Sequence, residues 1–293
     1  MQPWAAALAF RVMTDSPGAR LRLTVLGCSS APPHEATAAA GYLVQWGETN
    51  LLLDVGQGVI RKLQTVLDPQ QLTAIVIGHM HADHFLDLVG LRYLYPWGEP
   101  AQEPLPVHLP PGGRDRLDAL AVAVSERAGF FDAAFDAIEY DPAQELLVGD
   151  LRLRFLRGRH YVPAWGVVVE APDGARLAYT GDTGPSSAVE DAVRDADLLL
   201  VESALSSDRQ DDPERGHLTG DEAIALARSA GARSALLVHF NPDRLEELEL
   251  LCAAAGRWVR PAVDGLTVTV NRSPRTDASG SLASDPIADP SPA

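Results

Sequence analysis

The chain has 293 residues, 46% of them apolar and 22% charged, which suits one large globular domain or two small ones. No apolar run approaches the ~18 residues that a membrane helix needs, so no membrane partner is expected. A net charge of −16 with Lys62 as the sole lysine argues against a polyanionic partner, so nucleic acid is not expected either. The two cysteines, Cys28 and Cys252, are too few for a disulfide framework and fit a reduced cytoplasm. Ala5 to Phe10 is apolar but short and follows no basic segment, so no secretory signal is expected.

Residues 1–20 lack periodicity and read as a flexible lead-in. Leu21 to Leu26 alternates and predicts the first strand, broken by the loop Gly27 to Pro33. Gly41 to Trp46 and Leu51 to Leu53 predict a hairpin, and Val59 to Val66 a helix. Ala74 to Ile77 is a short β-branched run that predicts a buried strand. Phe85, Leu88, Val89, Leu91 and Leu94 then recur at helical spacing. Val107 to Leu109 predicts a strand in which His108 reads as core, followed by a helix over Arg114 to Ala128. Strands are expected at Ala137–Tyr140, Leu151–Leu156 and Gly166–Glu170, with Asp173-Gly174 turning into Leu177–Thr180. A short helix over Ser187 to Arg194 leads to the strand Leu198–Val201. A helix over Thr219 to Ala230 carries the capping-box pair Thr219 and Glu222. Ala235–Val238 is a strand, Leu245–Ala254 a helix, and Leu266–Val270 closes the fold. Both halves mix strands with covering helices, which predicts an α/β protein of two sheets packed face to face, with no linker between them. A single domain over 21–271 follows, with a disordered tail at 272–293 rich in Ser, Pro, Asp and Ala.

The chemistry centres on Gly78-His79-Met80-His81-Ala82-Asp83-His84. Three histidines and an aspartate stand on one loop between a buried strand and a helix, where rigid elements hold catalytic groups. Imidazole with carboxylate suits zinc or a similar divalent ion. Four more residues stand in equivalent places. His160 follows the strand Leu151–Leu156, Asp182 follows Leu177–Thr180, His239 ends Leu236-Leu237-Val238, and His217 precedes the helix at Thr219. Singly, each reads as a turn residue or a satisfied polar group. Together with the central loop they read as one site assembled from separate strand ends. His34 and Glu35, in the loop after the first strand, read as solvated, with a place facing the pocket left open.

With these motifs in hand, the stretch from about Leu21 to Val270 resembles the metallo-β-lactamase fold hydrolases, in their ribonuclease Z-like branch. The resemblance implies a four-layer αββα sandwich and two divalent metal ions, zinc or manganese. It gives His79, His81 and His160 to the first ion and Asp83, His84 and His239 to the second, with Asp182 bridging both. Asp54 matches the aspartate that holds a ligand imidazole in its tautomer. His217-Leu218-Thr219 looks like the branch's His-Ser-Thr segment, and Glu202-Ser203-Ala204-Leu205 like its Glu-Ala-Thr-Phe segment. The implied chemistry is phosphodiester cleavage by a metal-bridging hydroxide that Asp83 orients. His217 is the general acid for the leaving oxygen, and Glu202 holds it charged and oriented.

Bacterial ribonuclease Z carries a basic arm for transfer RNA between the residues matching His160 and Asp182. Here that interval is short and holds one predicted hairpin. The match is nearer to an arm-less subgroup proposed as atypical cyclic-nucleotide phosphodiesterases. The shared features are Val25-Leu26-Gly27-Cys28-Ser29, His81-Ala82-Asp83-His84 with Leu86-Asp87-Leu88, Gly181-Asp182-Thr183-Gly184 and His217-Leu218-Thr219-Gly220. A small phosphodiester substrate such as a cyclic nucleotide is therefore the leading expectation, with a homodimer as the implied oligomer. The alternatives are a transfer-RNA 3′-processing endonuclease, a lactonase, thioesterase or lactamase on the same metal core, and a non-catalytic metal-binding protein.

Overall fold

The computed structural model describes residues 19–95, 103–207 and 215–272. The expected lead-in, apart from residues 19 and 20, and the expected tail, apart from Arg272, lie outside the described residues. Two seven-stranded sheets carry the fold. The first contains β1 (Leu21–Gly27), β2 (Gly41–Trp46), β3 (Thr49–Leu53), β4 (Ala74–Val76), β5 (Leu105–Leu109), β6 (Phe135–Glu139) and the late β14 (Thr267–Val270), in the order β14-β1-β2-β3-β4-β5-β6. The second contains β7 (Leu146–Val148), β8 (Leu151–Arg157), β9 (Trp165–Glu170), β10 (Arg176–Tyr179), β11 (Leu198–Glu202), β12 (Ala235–Val238) and β13 (Val259–Pro261), in the order β13-β12-β11-β10-β9-β8-β7. Each sheet is antiparallel in one part and parallel in the other. β14, β1, β2 and β3 pair antiparallel and β3 to β6 parallel. β7 to β10 pair antiparallel and β10 to β13 parallel.

Alternation along the strands explains the layers. In β3, Leu51 and Leu53 face the second sheet, while Leu52 joins the separate core beneath the helices of the first. Tyr42 and Leu43 divide in the same way on β2. Strands buried on both faces read as continuous apolar runs, as these do. The helices α1 (Val59–Leu63), α2 (Ala82–Phe85), α3 (Leu88–Leu91) and α4 (Gly113–Ser125) belong to the first half. The helices α5 (Ser187–Ala192), α6 (Gly220–Ser229) and α7 (Leu245–Ala255) belong to the second. Two mixed sheets with helices outside are the αββα sandwich expected. Among the described residues no helix is long and apolar enough to cross a membrane.

Three local expectations are corrected. The helical spacing after the metal loop does not give one helix but α2, α3 and a 3₁₀ turn at Arg92–Leu94. The backbone N–H of Asp87 donates to Val55 O (3.1 Å), and its carboxylate accepts the Ile60 N–H at the start of α1 (2.9 Å). Asp87 thus ties α1 to the metal loop at the expense of helical continuity. His108 is half-buried rather than core. The period of two puts it on the face of β5 opposite Leu105, Val107 and Leu109. The short strands β7 and β13 were not among the predicted elements.

Candidate metal centre

The candidate residues gather at one rim, most of them on loops past strand ends, with Asp83 and His84 in α2. β3 leads directly to Asp54, β4 to His79, β8 to His160, β10 to Asp182 and β12 to His239, while β11 ends in Glu202. Gly78 brings the two sheets together there. Its carbonyl accepts Trp165 N–H at 3.0 Å, and a Cβ on it would meet Trp165 O at 2.6 Å. Asp54 and His239 both adopt left-handed backbone conformations, with φ of 57° and 54°. Such strain costs roughly 1–3 kcal/mol per residue and collects where a side chain must be aimed.

The ring nitrogens and carboxylate oxygens converge. His81 Nδ1 lies 3.0 Å from both His79 Nε2 and His160 Nε2, and Asp182 Oδ2 lies 3.6 Å and 3.8 Å from the latter two. In a second group, His239 Nε2 is 3.1 Å from Asp83 Oδ2 and 3.3 Å from His84 Nε2. Asp182 reaches this group too, with Oδ1 3.4 Å from His84 Nε2 and Oδ2 3.4 Å from His239 Nε2. Bonds of ~2.0–2.1 Å to a tetrahedral ion put ligand atoms about 3.3 Å apart, a spacing that these groups match closely enough to hold such ions. Every metal-ligand candidate from the sequence is therefore brought into one of two adjacent groups.

The donor set fits divalent cations on three counts. One nitrogen of His81 faces two others, an arrangement that hydrogen bonds alone do not satisfy. Asp182 Oδ1 is buried without a hydrogen-bond partner. The buried carboxylates Asp54, Asp83 and Asp182 have only imidazoles as ion-pair partners among the described residues, so positive charge is short. Burial holds His79, His81 and His160 below the usual imidazole range and hence neutral, the ligand form. At His84, burial is outweighed by Asp182 and Asp54, which push it up and make the spot favour a positive charge. Asp182 is pulled well down, because its imidazole neighbours, His239 and His84 foremost, outweigh its burial.

Supporting residues fix the tautomers. Asp54 Oδ2 accepts from His84 Nδ1–H (2.8 Å) and Tyr179 O–H (2.9 Å), and its Oδ1 accepts Gly78 N–H (2.7 Å). His160 Nδ1–H donates to Gly216 O at 2.9 Å. Both rings thus turn Nε2 toward the centre. Tyr179 and Gly216 went unnoticed in the sequence. One occupies an ordinary interior strand position and the other contributes only a carbonyl, so neither has a residue-type signal.

His217 and Glu202 are also brought to the site. His217 Nδ1–H donates to Glu202 Oε1 at 2.8 Å, and the ring stacks on His239 with centroids 5.5 Å apart. Glu202 is fully buried and accepts four donors. Oε1 also takes Thr183 N–H, and Oε2 takes Ala204 N–H and Leu218 N–H. Burial opposes a charge on His217, but Glu202 and then Asp182 outweigh it and raise its pKa to about 9. The loop is anchored by the capping box of Thr219 with Glu222 at the start of α6. His34 is half-buried and lines a groove with Ser29, Gln57 and Lys62, while Glu35 is exposed on the same loop.

Residues 49–240 match a family model described as a β-lactamase superfamily domain. An uncharacterized Mycobacterium tuberculosis protein is 33% identical over 226 residues, 76% of this chain and 81% of that protein. The probable metallo-hydrolase YhfI of Bacillus subtilis is 30% identical over 75% of this chain and 86% of its own. Its crystal structure superposes with a TM-score of 0.73 and 26% identity, covering 85% of this chain and 98% of that one. Ribonuclease Z of Myxococcus xanthus is 30% identical over 300 residues, 85% of this chain and 97% of the relative.

Proposed function

The chain belongs to the β-lactamase superfamily and is a metallo-hydrolase by kinship, and from that premise we propose that it is a dinuclear phosphodiesterase acting on small phosphodiesters, with cyclic nucleotides as the leading case. The observation that carries this reading is the His217–Glu202 pair beside the two ligand groups. Breaking a phosphodiester expels an alkoxide, which needs a proton, and the His217–Glu202 pair is placed to supply one.

In this reading His79, His81, His160 and Asp182 would hold one divalent ion, and Asp83, His84 and His239, with Asp182 in reach, would hold the other, zinc or manganese. Divalent ions bound there supply Lewis acidity, acidifying water and drawing charge from phosphoryl oxygens. Asp83 accepts a proton from the attacking water and orients it. Glu202 takes the Nδ1–H of His217, which leaves Nε2–H to protonate the departing oxygen. The raised pKa of His217 keeps that proton in place at neutral pH. Asp54 and the Gly216 carbonyl keep two ligand rings in the required tautomer.

The likeness to ribonucleases Z favours one rival, transfer-RNA 3′-processing. Two features argue for the smaller substrate. Between His160 and Asp182 the chain holds only the β9–β10 hairpin, and its net charge is −16. The test is turnover of bis-p-nitrophenyl phosphate, cyclic AMP, a lactone and nitrocefin by purified protein with added zinc or manganese. Turnover of the two phosphodiesters, lost on chelation, is the expected result. Turnover of the lactone or nitrocefin alone would replace the proposal with the lactonase or lactamase reading.

A further inference from the structure

Beside the centre stands an aromatic ring that neither the fold nor the proposed reaction uses. Tyr161 follows His160 directly and is 67% exposed. Its ring centroid lies 5.2 Å from that of His160 and 5.8 Å from that of His217. Among the described large apolar side chains that are exposed, it alone has a ring contact with the site.

The ring is exposed yet firmly carried. Gly158 N–H donates to Ala164 O at 3.0 Å and closes the loop that bears it. Arg159 N–H donates to Thr183 Oγ1 at 3.0 Å, and Arg159 O accepts Gly184 N–H at 2.7 Å. The next residue, His160, is fixed by its bond to Gly216 O. Gly216 also gives the ring its seat, since a Cβ there would meet Tyr161 Cε2 at 2.9 Å and Cδ2 at 3.0 Å. A rigid aromatic side chain held at a rim offers contact area with little ordering cost.

We infer that Tyr161 is a stacking platform for a nucleobase, which makes the substrate a nucleoside phosphodiester. This rests on the phosphodiester reading above and narrows it. Aromatic pairs settle with centroids about 4.5–7 Å apart, so a base on Tyr161 stands next to His217, with its sugar between ring and phosphorus. Stacking also suits so acidic a chain, because it needs no cation. The sole lysine, Lys62, is engaged by Asp264 at 3.2 Å. A π-face accepts any base, so Tyr161 selects for a planar ring and leaves base identity to other contacts.

The test compares wild type, Tyr161→Ala and Tyr161→Phe on two esters with the same leaving group, thymidine 5′-(p-nitrophenyl phosphate) and methyl p-nitrophenyl phosphate. Tyr161→Ala is expected to raise KM for the nucleoside ester by about 5- to 100-fold more than for the methyl ester, the worth of one base–aromatic stack, with kcat much less affected. Tyr161→Phe should restore the discrimination. Calorimetry of adenosine 5′-monophosphate and ribose 5-phosphate reads the platform without turnover. The nucleotide should bind wild type more tightly, and Tyr161→Ala should erase the difference. Equal losses on both esters, or no loss on either, would overturn the inference. If wild type hydrolyses neither ester, the reaction proposed above fails. The platform then survives only on a calorimetric difference that Tyr161→Ala abolishes, and falls without it.

Discussion

Replacing Asp54 by Asn keeps the side chain's shape and takes away half of its accepting capacity, in a place where all of that capacity is used. Its two oxygens take three donors, Gly78 N–H, His84 Nδ1–H and Tyr179 O–H. An Asn can turn its single oxygen toward His84 and Tyr179, but its amide then points at Gly78 N–H, and one buried donor is orphaned. That loss costs about 1–3 kcal/mol. For a domain of this size it lowers Tm by roughly 2–12 °C. Asp54→Ala orphans all three donors. It also puts an alanine at φ 57°, a region that Asn tolerates and Ala does not, for about 1–2 kcal/mol more. In either variant the His84 ring loses its charged tautomer guide, and metal affinity should fall roughly 10- to 100-fold. Thermal melting of metal-free protein and zinc competition against a chromophoric chelator measure the two effects separately. If both variants melt within a degree of wild type and bind zinc equally well, the account of Asp54 as the residue that orients His84 is wrong.

Four further outcomes are expected. His217→Ala should retain bound metal while phosphodiester turnover drops at least ~100-fold, read by metal analysis alongside steady-state kinetics. Because the pKa of His217 is raised to about 9, its proton is in place below that pH, and turnover should fall as pH rises through about 9. Glu202→Gln removes the charge that raises it, so the fall in the pH–rate profile should move down toward the ordinary imidazole range near ~6.5. Gly56→Ala places a Cβ 1.9 Å from the Asp83 carbonyl oxygen. The backbone of the metal loop must then shift, and a stability loss of about 1–3 kcal/mol in denaturant titration is expected.

The candidate centre was legible because each of its residues is an unusual type at a predictable place. A histidine or aspartate directly past an apolar strand is noticed, and His79, His160, Asp182 and His239 are all of that kind. The strands buried on both faces were legible for the same reason, as apolar runs bounded by turns. What escaped has no such mark. β7 and β13 are three residues each and sit at sheet edges, too short to show a period, and Arg260 interrupts the apolar run in β13. The helix expected through Leu94 was interrupted by Asp87, whose backbone bonds to Val55, a distant strand-end residue, rather than within its own turn. Periodicity cannot register a competing long-range acceptor. Tyr179 looks like core in the sequence and is core, yet its hydroxyl also steadies Asp54.

The two ligand groups each draw on both halves of the molecule. His79 and His81 come from the first sheet's side of the rim and His160 and Asp182 from the second, while Asp83 and His84 meet His239 across the same seam. A cation held by either group would thus also tie the two halves together. At a free ion concentration of 100 times Kd, mass action adds about 2.7 kcal/mol to the closed molecule for one site. On the metal-centre reading, divalent ion supply would therefore set not only how fast the molecule works but how long it stays whole, like a clasp that also keeps the book shut.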